Sequence, residues 1–74
     1  MKVHIINETI FVENNDTKSH AYKINLNNTF YKECYIKEKV MEPVYKIPNL
    51  YHCVKGENTI TVEQDDGEKQ SRKI

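Results

Sequence analysis

The chain of 74 residues is short of several residue types, and each shortage argues against a class of protein. It contains no Trp, two Gly, two Pro and two Cys, and only one of its 11 basic residues, Arg72, is an arginine. It has no Gly-rich phosphate-binding motif and no nucleophile elbow, the loops on which many nucleotide-binding enzymes and hydrolases depend. We therefore expect a protein that is not an enzyme and that uses no cofactor.

An excess of charge of one sign is also missing, because 11 basic residues are matched by 11 acidic ones. Nucleic-acid binders usually carry extra Lys and Arg, since neutralising phosphates supplies much of their affinity. The single Arg further weakens such a proposal, because Arg forms the bidentate contacts to bases and phosphates. A DNA mimic would need a dense acidic face instead. The composition therefore disfavours nucleic acid as a partner.

Long hydrophobic runs are absent as well. No stretch approaches the roughly 20 apolar residues of a membrane span, and "MKVHIINETI" lacks the apolar core and cleavage site of a signal peptide. We expect no membrane association and a location in the cytoplasm. In a reducing cytoplasm Cys34 and Cys53 would be free thiols. A disulfide between them would fit two facing sheets, but that location argues against it.

The His and Cys residues do not form a recognisable metal-binding or catalytic motif. Structural zinc sites use close-spaced ligand pairs, and none occurs among the five candidates, which are His4, His20, Cys34, His52 and Cys53. The adjacent His52 and Cys53 would point to opposite faces of a strand and could not readily act as a base and its nucleophile. We interpret both cysteines as small core residues and expect no metal site.

What the sequence does contain is alternation of apolar and polar residues, which is typical of half-buried strands. Val3 and Ile5 alternate on odd positions and Ile10 and Val12 on even ones, so a turn or bulge is expected near Asn7-Glu8. "AYKINL" and "TITVEQ" are predicted strands. The "DDG" that follows the second predicts a hairpin in which Gly67 adopts a positive φ.

Residues 29–41, "TFYKECYIKEKVM", are compatible with either a strand or a helix. The Tyr, Phe and Ile residues favour a strand, whereas the Lys and Glu residues tolerate a helix; we favour the strand. Pro43 and Pro48 cannot donate to a strand ladder, so "VYKI" between them predicts a short edge strand. Six or seven short antiparallel strands at about ten-residue spacing predict a single all-β domain over residues 1–74. This is a small sandwich, or alternatively a small barrel, or an α+β fold if residues 29–41 are helical.

Residues 44–67 resemble the later strands of immunoglobulin-like domains in Gram-positive phage tail and baseplate proteins. The resemblance covers about a third of the chain and lies in "VYKIPNL", a short Gly-containing loop and "NTITVEQDDG". The matching residues are Val44, Ile47, Pro48, Leu50, Gly56, Ile60, Val62, Asp66 and Gly67. It implies an immunoglobulin-like β-sandwich that acts by binding: a non-catalytic phage or mobile-element protein, such as a virion accessory or assembly component.

Tyrosine supplies the candidate binding residues, because its ring contributes apolar contact area and its hydroxyl tolerates water. We predict that a partner contacts Tyr31, Tyr35, Tyr45 and Tyr51. As a strand, residues 29–41 would place Tyr31 and Tyr35 on one face, opposite Phe30 and Ile36. The partner would be a protein: a virion protein, a host enzyme or a second copy, since edge pairing into homo-oligomers is compatible with so small a chain.

Two further functions belong to different classes. One is a small inhibitor of a host enzyme, such as a defence nuclease, which would have to block a protein surface because the chain is not a DNA mimic. The other is a single-stranded nucleic-acid-binding module in which Tyr31 and Tyr35, beside Lys37 and Lys39, stack bases.

Overall fold

The computed structural model describes residues 1–47 and 57–74, which form two antiparallel β-sheets. One sheet has three strands in the order β1-β2-β5, and the other has four in the order β4-β3-β6-β7. The strands are β1 (Lys2–Ile6), β2 (Thr9–Glu13), β3 (His20–Leu26), β4 (Thr29–Ile36), β5 (Met41–Lys46), β6 (Thr59–Gln64) and β7 (Lys69–Lys73). Apolar side chains from both sheets form one core, so the molecule is a small β-sandwich, as predicted.

The two alternative folds do not occur in the part of the chain that the structure describes, which has no helix and no closed barrel. The strand favoured for residues 29–41 occurs, but it ends at Ile36, and Met41 is already the first residue of β5. Residues 37–40 make a turn in which Lys39 has a φ of 59° and the Val40 amide donates to the Lys37 carbonyl over 3.3 Å. This turn carries the chain from β4 in one sheet to β5 in the other.

The strand order resembles that of an immunoglobulin domain with one strand exchanged. In the constant-type arrangement the fourth strand lies in the sheet of strands one, two and five. Here β4 pairs with β3 instead, through a hairpin that closes at Leu26 and Thr29. The exchange leaves β4 and β5, which are consecutive in sequence, as edge strands of different sheets. The edge strand predicted for "VYKI", residues 44–47, is therefore confirmed, although β5 spans Met41–Lys46 and so contains Pro43.

Alternating residues of the inner strands build the core, because successive side chains of a strand point to opposite faces. The buried apolar residues are Met1, Val3, Ile10, Val12, Tyr22, Ile24, Leu26, Ile36, Val44, Tyr45, Ile60 and Val62. Val44 and Tyr45 are neighbours and yet both are buried. A β-bulge explains this, since Ile10 pairs with Tyr45 but the next residue, Phe11, pairs with Pro43. Val44 is the extra residue.

Two hairpins share the same tight turn. Asn7 and Glu8 have φ values of 50° and 62°, and Asn27 and Asn28 have values of 51° and 67°. Positive φ at both central residues of a two-residue loop is the signature of a type I′ turn, whose twist matches that of the strands. The turn at Asn7-Glu8 accounts for the change from odd to even apolar positions, as the sequence predicted. Gly67, with a φ of 96°, likewise lies in the predicted β6–β7 hairpin.

Asn14 joins two segments that cross between the sheets, the one from β2 to β3 and the one from β4 to β5. Its side chain is fully buried, and its Nδ2 donates to the carbonyls of Lys18 and Ile36, each over 2.9 Å. Its Oδ1 accepts from the Asp16 amide, and its own amide donates to the Val40 carbonyl over 2.9 Å. Asn14 therefore joins the segment after β2 to the turn after β4, and the Lys39 Nζ adds an exposed bond to the Asn15 carbonyl over 2.9 Å.

Replacing Glu8 with glycine is expected to stabilise the protein by about 1 kcal/mol. Glu8 adopts a left-handed backbone conformation, which is unfavourable for a residue with a Cβ but not for glycine. Asn-Gly is accordingly the favoured pair in this turn. Urea denaturation would measure the free energy of unfolding. The control is Asn28→Gly, which should gain less because asparagine tolerates this conformation. An unchanged or lower stability for Glu8→Gly would contradict the turn assignment.

Replacing Asn14 with alanine is expected to lower the free energy of unfolding by about 2–4 kcal/mol. The change removes three hydrogen bonds and leaves a carbonyl, that of Ile36, buried without this donor. Chemical denaturation measures the loss, and Asn25→Ala on the solvent face of β3 serves as the control. Equal losses for the two variants would show that Asn14 has no special role.

Candidate partner-binding site

The described strands leave four sheet edges, at β1 and β5 in one sheet and at β4 and β7 in the other. An edge strand presents unpaired backbone groups to which another chain can add, so natural proteins protect edges with prolines, bulges, charges or a covering segment. The four edges of this sandwich differ greatly in such protection. The comparison identifies the surface most open to a partner.

Three of the edges carry protecting features. β5 contains Pro43, which has no amide hydrogen, and the bulge at Val44. β7, with the sequence KQSRK, bears three cations along five residues. At β1 the protection is limited to the residue before the strand, where the Gln70 Nε2 of the opposite sheet donates to the Met1 carbonyl over 2.7 Å. Each feature hinders the addition of a further strand.

The fourth edge, β4, is the longest strand and contains no proline. Its solvent-facing side chains include two aromatic residues, Phe30, which is 59% exposed, and Tyr35, which is 75% exposed. Glu33 lies between them on the same face, opposite Lys23 of β3. Large aromatic rings left in solvent on an unpaired strand are uncommon in a monomer and are typical of interfaces. We therefore take the β4 edge as the candidate site.

The expectation that Tyr31 and Tyr35 share a face is wrong, and a second β-bulge is the reason. Ile24 of β3 pairs with Lys32, whereas the next residue, Asn25, pairs with Phe30. Tyr31 is the extra residue of β4, and the bulge turns its side chain towards the core while Phe30 remains outside. A simple alternation cannot describe this strand.

Tyr31 instead contacts Tyr45 between the edge strands of the two sheets. Their ring centroids lie 5.3 Å apart at 88°, an edge-to-face contact. The Lys32 ammonium lies 5.8 Å from the Tyr31 ring centroid, close enough for a cation–π interaction. A shallow groove of about 320 Å³ opens beside the pair, with Pro43 and Lys46 in its lining. Tyr45 itself is only 3% exposed, so its ring contributes mainly to the core.

The four predicted tyrosines are thus placed differently. Tyr35 is exposed on β4, Tyr31 is half-buried on the same strand, and Tyr45 is buried on β5. Tyr51 lies outside the described residues, as do His52, Cys53 and any pairing of Cys53 with Cys34. The structure brings Tyr31 and Tyr45 together, and it separates Tyr35 from both by turning it to the solvent side of the sheet.

Charges alternate across the outer face of the four-stranded sheet. Register places one row of four side chains side by side from β4 to β7, in the order Glu33, Lys23, Glu63 and Lys69. Opposite charges on neighbouring strands stabilise a sheet by roughly 0.2–1 kcal/mol per pair. The alternation also leaves this face without the continuous positive charge that a nucleic-acid backbone requires.

Cys34 is half-buried on the core side of β4. Burial raises the pKa of its thiol, and the nearby Glu42 and Glu33 act in the same direction, whereas Lys32 opposes them. A thiol with a raised pKa forms little thiolate at neutral pH, so it is a poor nucleophile and a poor metal ligand. Within residues 1–47 and 57–74, no group of three His, Cys, Asp or Glu side chains is placed to hold a metal ion.

A cluster of polar side chains at one end of the sandwich was not anticipated from the sequence. His20, only 2% exposed, contacts two carboxylates: its Nδ1 lies 2.5 Å from the Asp65 Oδ1 and its Nε2 lies 2.7 Å from the Asp16 Oδ2. The other Asp65 oxygen accepts from the Ala21 amide over 3.0 Å. The arrangement joins the β2–β3 loop to the β6–β7 hairpin.

Next to this cluster, the Tyr22 hydroxyl donates to the Gln64 Oε1 over 2.7 Å, and the Gln64 Nε2 donates to the Asp66 Oδ2 over 2.9 Å. Burial, with the neighbouring acidic groups, raises the pKa of Tyr22 to about 12, so its hydroxyl remains a donor. The "DDG" segment therefore does more than turn the chain. Each of its two carboxylates fixes a buried polar side chain of β3 or β6.

The two carboxylates of the cluster favour the charged form of His20. The hydrogen bond to Asp16, with that to Asp65, raises the pKa of His20 although burial opposes the charged form. The same contact lowers the pKa of Asp16 to about 2. The pKa of Asp65 is lowered, first by the Ala21 amide and then by His20. An imidazolium that donates from both nitrogens has no free lone pair, so this geometry favours a structural role over that of a general base.

No segment of residues 1–47 and 57–74 forms a helix long and apolar enough to cross a membrane. Comparisons with protein-family models, with curated proteins and with solved structures gave no match to this chain.

The ion pairs of His20 predict how stability depends on pH. His20 has a higher pKa in the folded state than its ordinary value of 6.5, so its contribution is complete below pH 6.5 and is lost as the pH rises through the folded-state pKa. Asp16 behaves in the opposite sense, because its contribution is complete above about pH 4 and is lost as the pH falls towards 2. The free energy of unfolding should therefore be highest between about pH 4 and 6.5.

The variant His20→Gln should be less stable than the wild type and should lose the decline above pH 6.5, because glutamine carries no titrating proton. Denaturation curves from pH 3 to 9 measure this, with nuclear magnetic resonance titration of His20 as a direct check. His4→Gln is the control, since His4 pairs with Glu13 on the surface. A decline at alkaline pH that persists in His20→Gln would show that another group causes it.

Proposed function

We propose that this protein is a non-catalytic binding domain that recognises another protein through the edge of β4. One observation carries the proposal: Tyr35 projects into solvent, 75% exposed, from the regular part of a strand that has no neighbour on one side. The other sheet edges carry a proline and bulge, a row of cations, or a covering side chain.

An incoming strand would gain two kinds of interaction at this edge. Its backbone would pair with the unpaired amides and carbonyls of β4, as in proteins that bind an extended segment by strand addition. Its side chains would meet Tyr35, and at the other end of the strand Phe30, on the outer face. Tyrosine favours such contacts because it buries a large ring at a small cost in conformational entropy.

The charges support a protein partner over a nucleic acid. The net charge is zero, and the outer face beside β4 alternates acidic and basic side chains. Stacking of successive bases would need neighbouring exposed rings, whereas Tyr31 turns inward and contacts Tyr45. These features weaken the third function considered from the sequence.

The biological setting of the proposal comes from the resemblance of residues 44–67 to immunoglobulin-like domains of phage tails. It suggests a phage or mobile-element protein, present in a virion or in the cytoplasm of a bacterial host, with a role as a virion accessory or assembly component. A small inhibitor of a host enzyme is the second candidate. The same observation favours it, because an exposed aromatic edge can also block a protein surface.

A comparative capture experiment tests the proposal. Tagged wild-type protein and two variants would be incubated with extract of source or infected cells, and bound proteins identified by mass spectrometry. The test variant is Phe30→Ser with Tyr35→Ser, which removes the exposed rings of β4. The control is Ile6→Ser with Met41→Ser, which removes exposed apolar side chains from the other sheet. Circular dichroism would confirm that each variant is folded.

We expect the wild type and the control to retain one partner at a stoichiometric ratio, and the β4 variant to retain at most about a tenth as much. A virion protein as the partner would support the assembly role, and a host enzyme would support inhibition. Retention by the β4 variant, equal loss in both variants, or the absence of any partner would overturn the proposal. Self-association is measured separately.

A further inference from the structure

In the segment at the end of β4, the charges change sign from one side of Tyr35 to the other. The segment reads Lys32-Glu33-Cys34-Tyr35-Ile36-Lys37-Glu38, so the residues two and three positions away on the two sides of Tyr35 carry opposite charges. Two antiparallel copies of such a segment, related by a two-fold axis at Tyr35, place each charge opposite its complement. Among the other described edge strands, β5 also has opposite charges at equal distances from one residue, Glu42 and Lys46 about Val44, but Pro43 and the bulge interrupt that strand.

We propose that β4 pairs antiparallel with β4 of a second copy of this chain, about a two-fold axis at Tyr35, to form a symmetric dimer. The inference rests on the proposed function, which makes the β4 edge the binding surface, and it names a second copy as the partner. The pairing would continue the four-stranded sheet across the axis, so the contact is isologous and closed.

The charges, together with the end of β4 at Ile36, select this register over its neighbours. An axis at Ile36 would set Glu33 opposite Lys39, which lies in the turn after the strand with a φ of 59° and cannot pair as a strand residue. Cross-strand partners must lie on the same face of the continuous sheet, so the axis must pass through a residue of the strand. An axis at Glu33 would oppose Glu33 to itself, and an axis at Lys32 would oppose two ammonium groups. An axis at Cys34 would create no ion pair, since it sets Glu33 opposite Tyr35. With the axis at Tyr35, Glu33 lies opposite the second copy's Lys37 twice, once on each side.

The side-chain faces agree with this register. Tyr35 and Glu33 are both exposed on the outer face of the sheet, and Lys37, the first residue after β4, is also exposed. The pairing requires Lys37 to extend the strand by one residue. The two Tyr35 rings would meet at the axis between the two ion pairs. The next pair outward, Lys32 with Glu38 of the second copy, also combines opposite charges, with Glu38 in the turn that follows the strand.

The remaining edges offer no equal alternative for self-pairing. Two copies of β7 would bring the cations Lys69, Arg72 and Lys73 close to those of the partner. Two copies of β5 would meet at Pro43 and the bulge. Two copies of β1 would oppose its only charged side chain, Lys2, to Ile6 when centred on His4, without an ion pair.

The size of the contact predicts a weak association. Pairing of about five residues on each strand buries much less than the roughly 1,200 Å² of a stable interface. We therefore expect dimers to form at concentrations between about 10 µM and 1 mM, with less dimer at high salt because the ion pairs are exposed. Sedimentation velocity over this range at low ionic strength would measure the dissociation constant.

Charge reversal provides the decisive variants. Glu33→Lys and Lys37→Glu each set like charges opposite one another at two positions, so each should raise the dissociation constant by about tenfold or more. The double variant restores opposite charges and should return to within about threefold of the wild type. The matched controls are Glu57→Lys, Lys73→Glu and their double variant, which reverse an exposed ion pair near β7. These should leave the dissociation constant unchanged.

A covalent test locates the axis. Directly opposed residues of an antiparallel pair have Cα atoms about 4.5–5.5 Å apart, which is within disulfide range. Tyr35→Cys in a Cys34→Ser, Cys53→Ser background should oxidise to a disulfide-linked dimer, whereas Lys73→Cys in the same background should not. A linked dimer from Lys73→Cys and none from Tyr35→Cys would overturn the inference.

Three results in sedimentation would also overturn the inference. They are a monomer at every concentration, a dissociation constant that neither single charge reversal changes, and a double variant whose dissociation constant does not return towards that of the wild type. A monomer together with β4-dependent capture of a different protein would reject the dimer and leave the proposed function standing. A dimer that follows the charge reversals, without capture of any other protein, would support self-association as the role of this edge and reject a heterologous partner.

Discussion

The buried amide of Asn14 is the interaction on which the two-sheet arrangement depends. A sandwich of seven short strands must pass its chain between the sheets, and each crossing exposes backbone groups that no strand partner can satisfy. Asn14 satisfies two such carbonyls, Lys18 and Ile36, and its backbone amide binds a third, that of Val40. An apolar side chain of similar size could fill the space but could not make these bonds. The relative position of the crossings, and with them the strands that follow, is therefore set by hydrogen bonding as well as by apolar burial.

The two bulges show how a small core is completed at the margin of the sheets. Regular alternation would bury only one of Val44 and Tyr45, yet the bulge in β5 buries both. The bulge in β4 turns Tyr31 inward to meet Tyr45. Each irregularity adds one large side chain to the side of the sandwich where β4 and β5 lie. In a chain too short for a generous core, these contacts matter more than they would in a larger domain.

Local features of the sequence predicted the elements that depend on local physics. The parity change around Asn7-Glu8 and the glycine at position 67 both correspond to turns with positive φ, and the alternating segments became β3 and β6. Features that depend on distant pairing could not be predicted in this way. The bulge at Tyr31 is defined only against β3, so the orientation of Tyr31 and Tyr35 was assigned incorrectly. Similarly, Asp65 meets His20 only because β3 and β6 are neighbours, which no short motif encodes.

The unequal protection of the sheet edges has a consequence for how large an assembly this fold can form. A sandwich with two open edges on one sheet could grow indefinitely, since each added copy would present a fresh strand, and the product would be a filament. In the four-stranded sheet, β4 is open but the opposite edge, β7, carries the cationic sequence KQSRK. If β4 binds a strand as proposed, growth by strand addition would stop after one step, because the cations on β7 oppose a second addition. The proposed assembly would then be a closed pair and not an insoluble fibre.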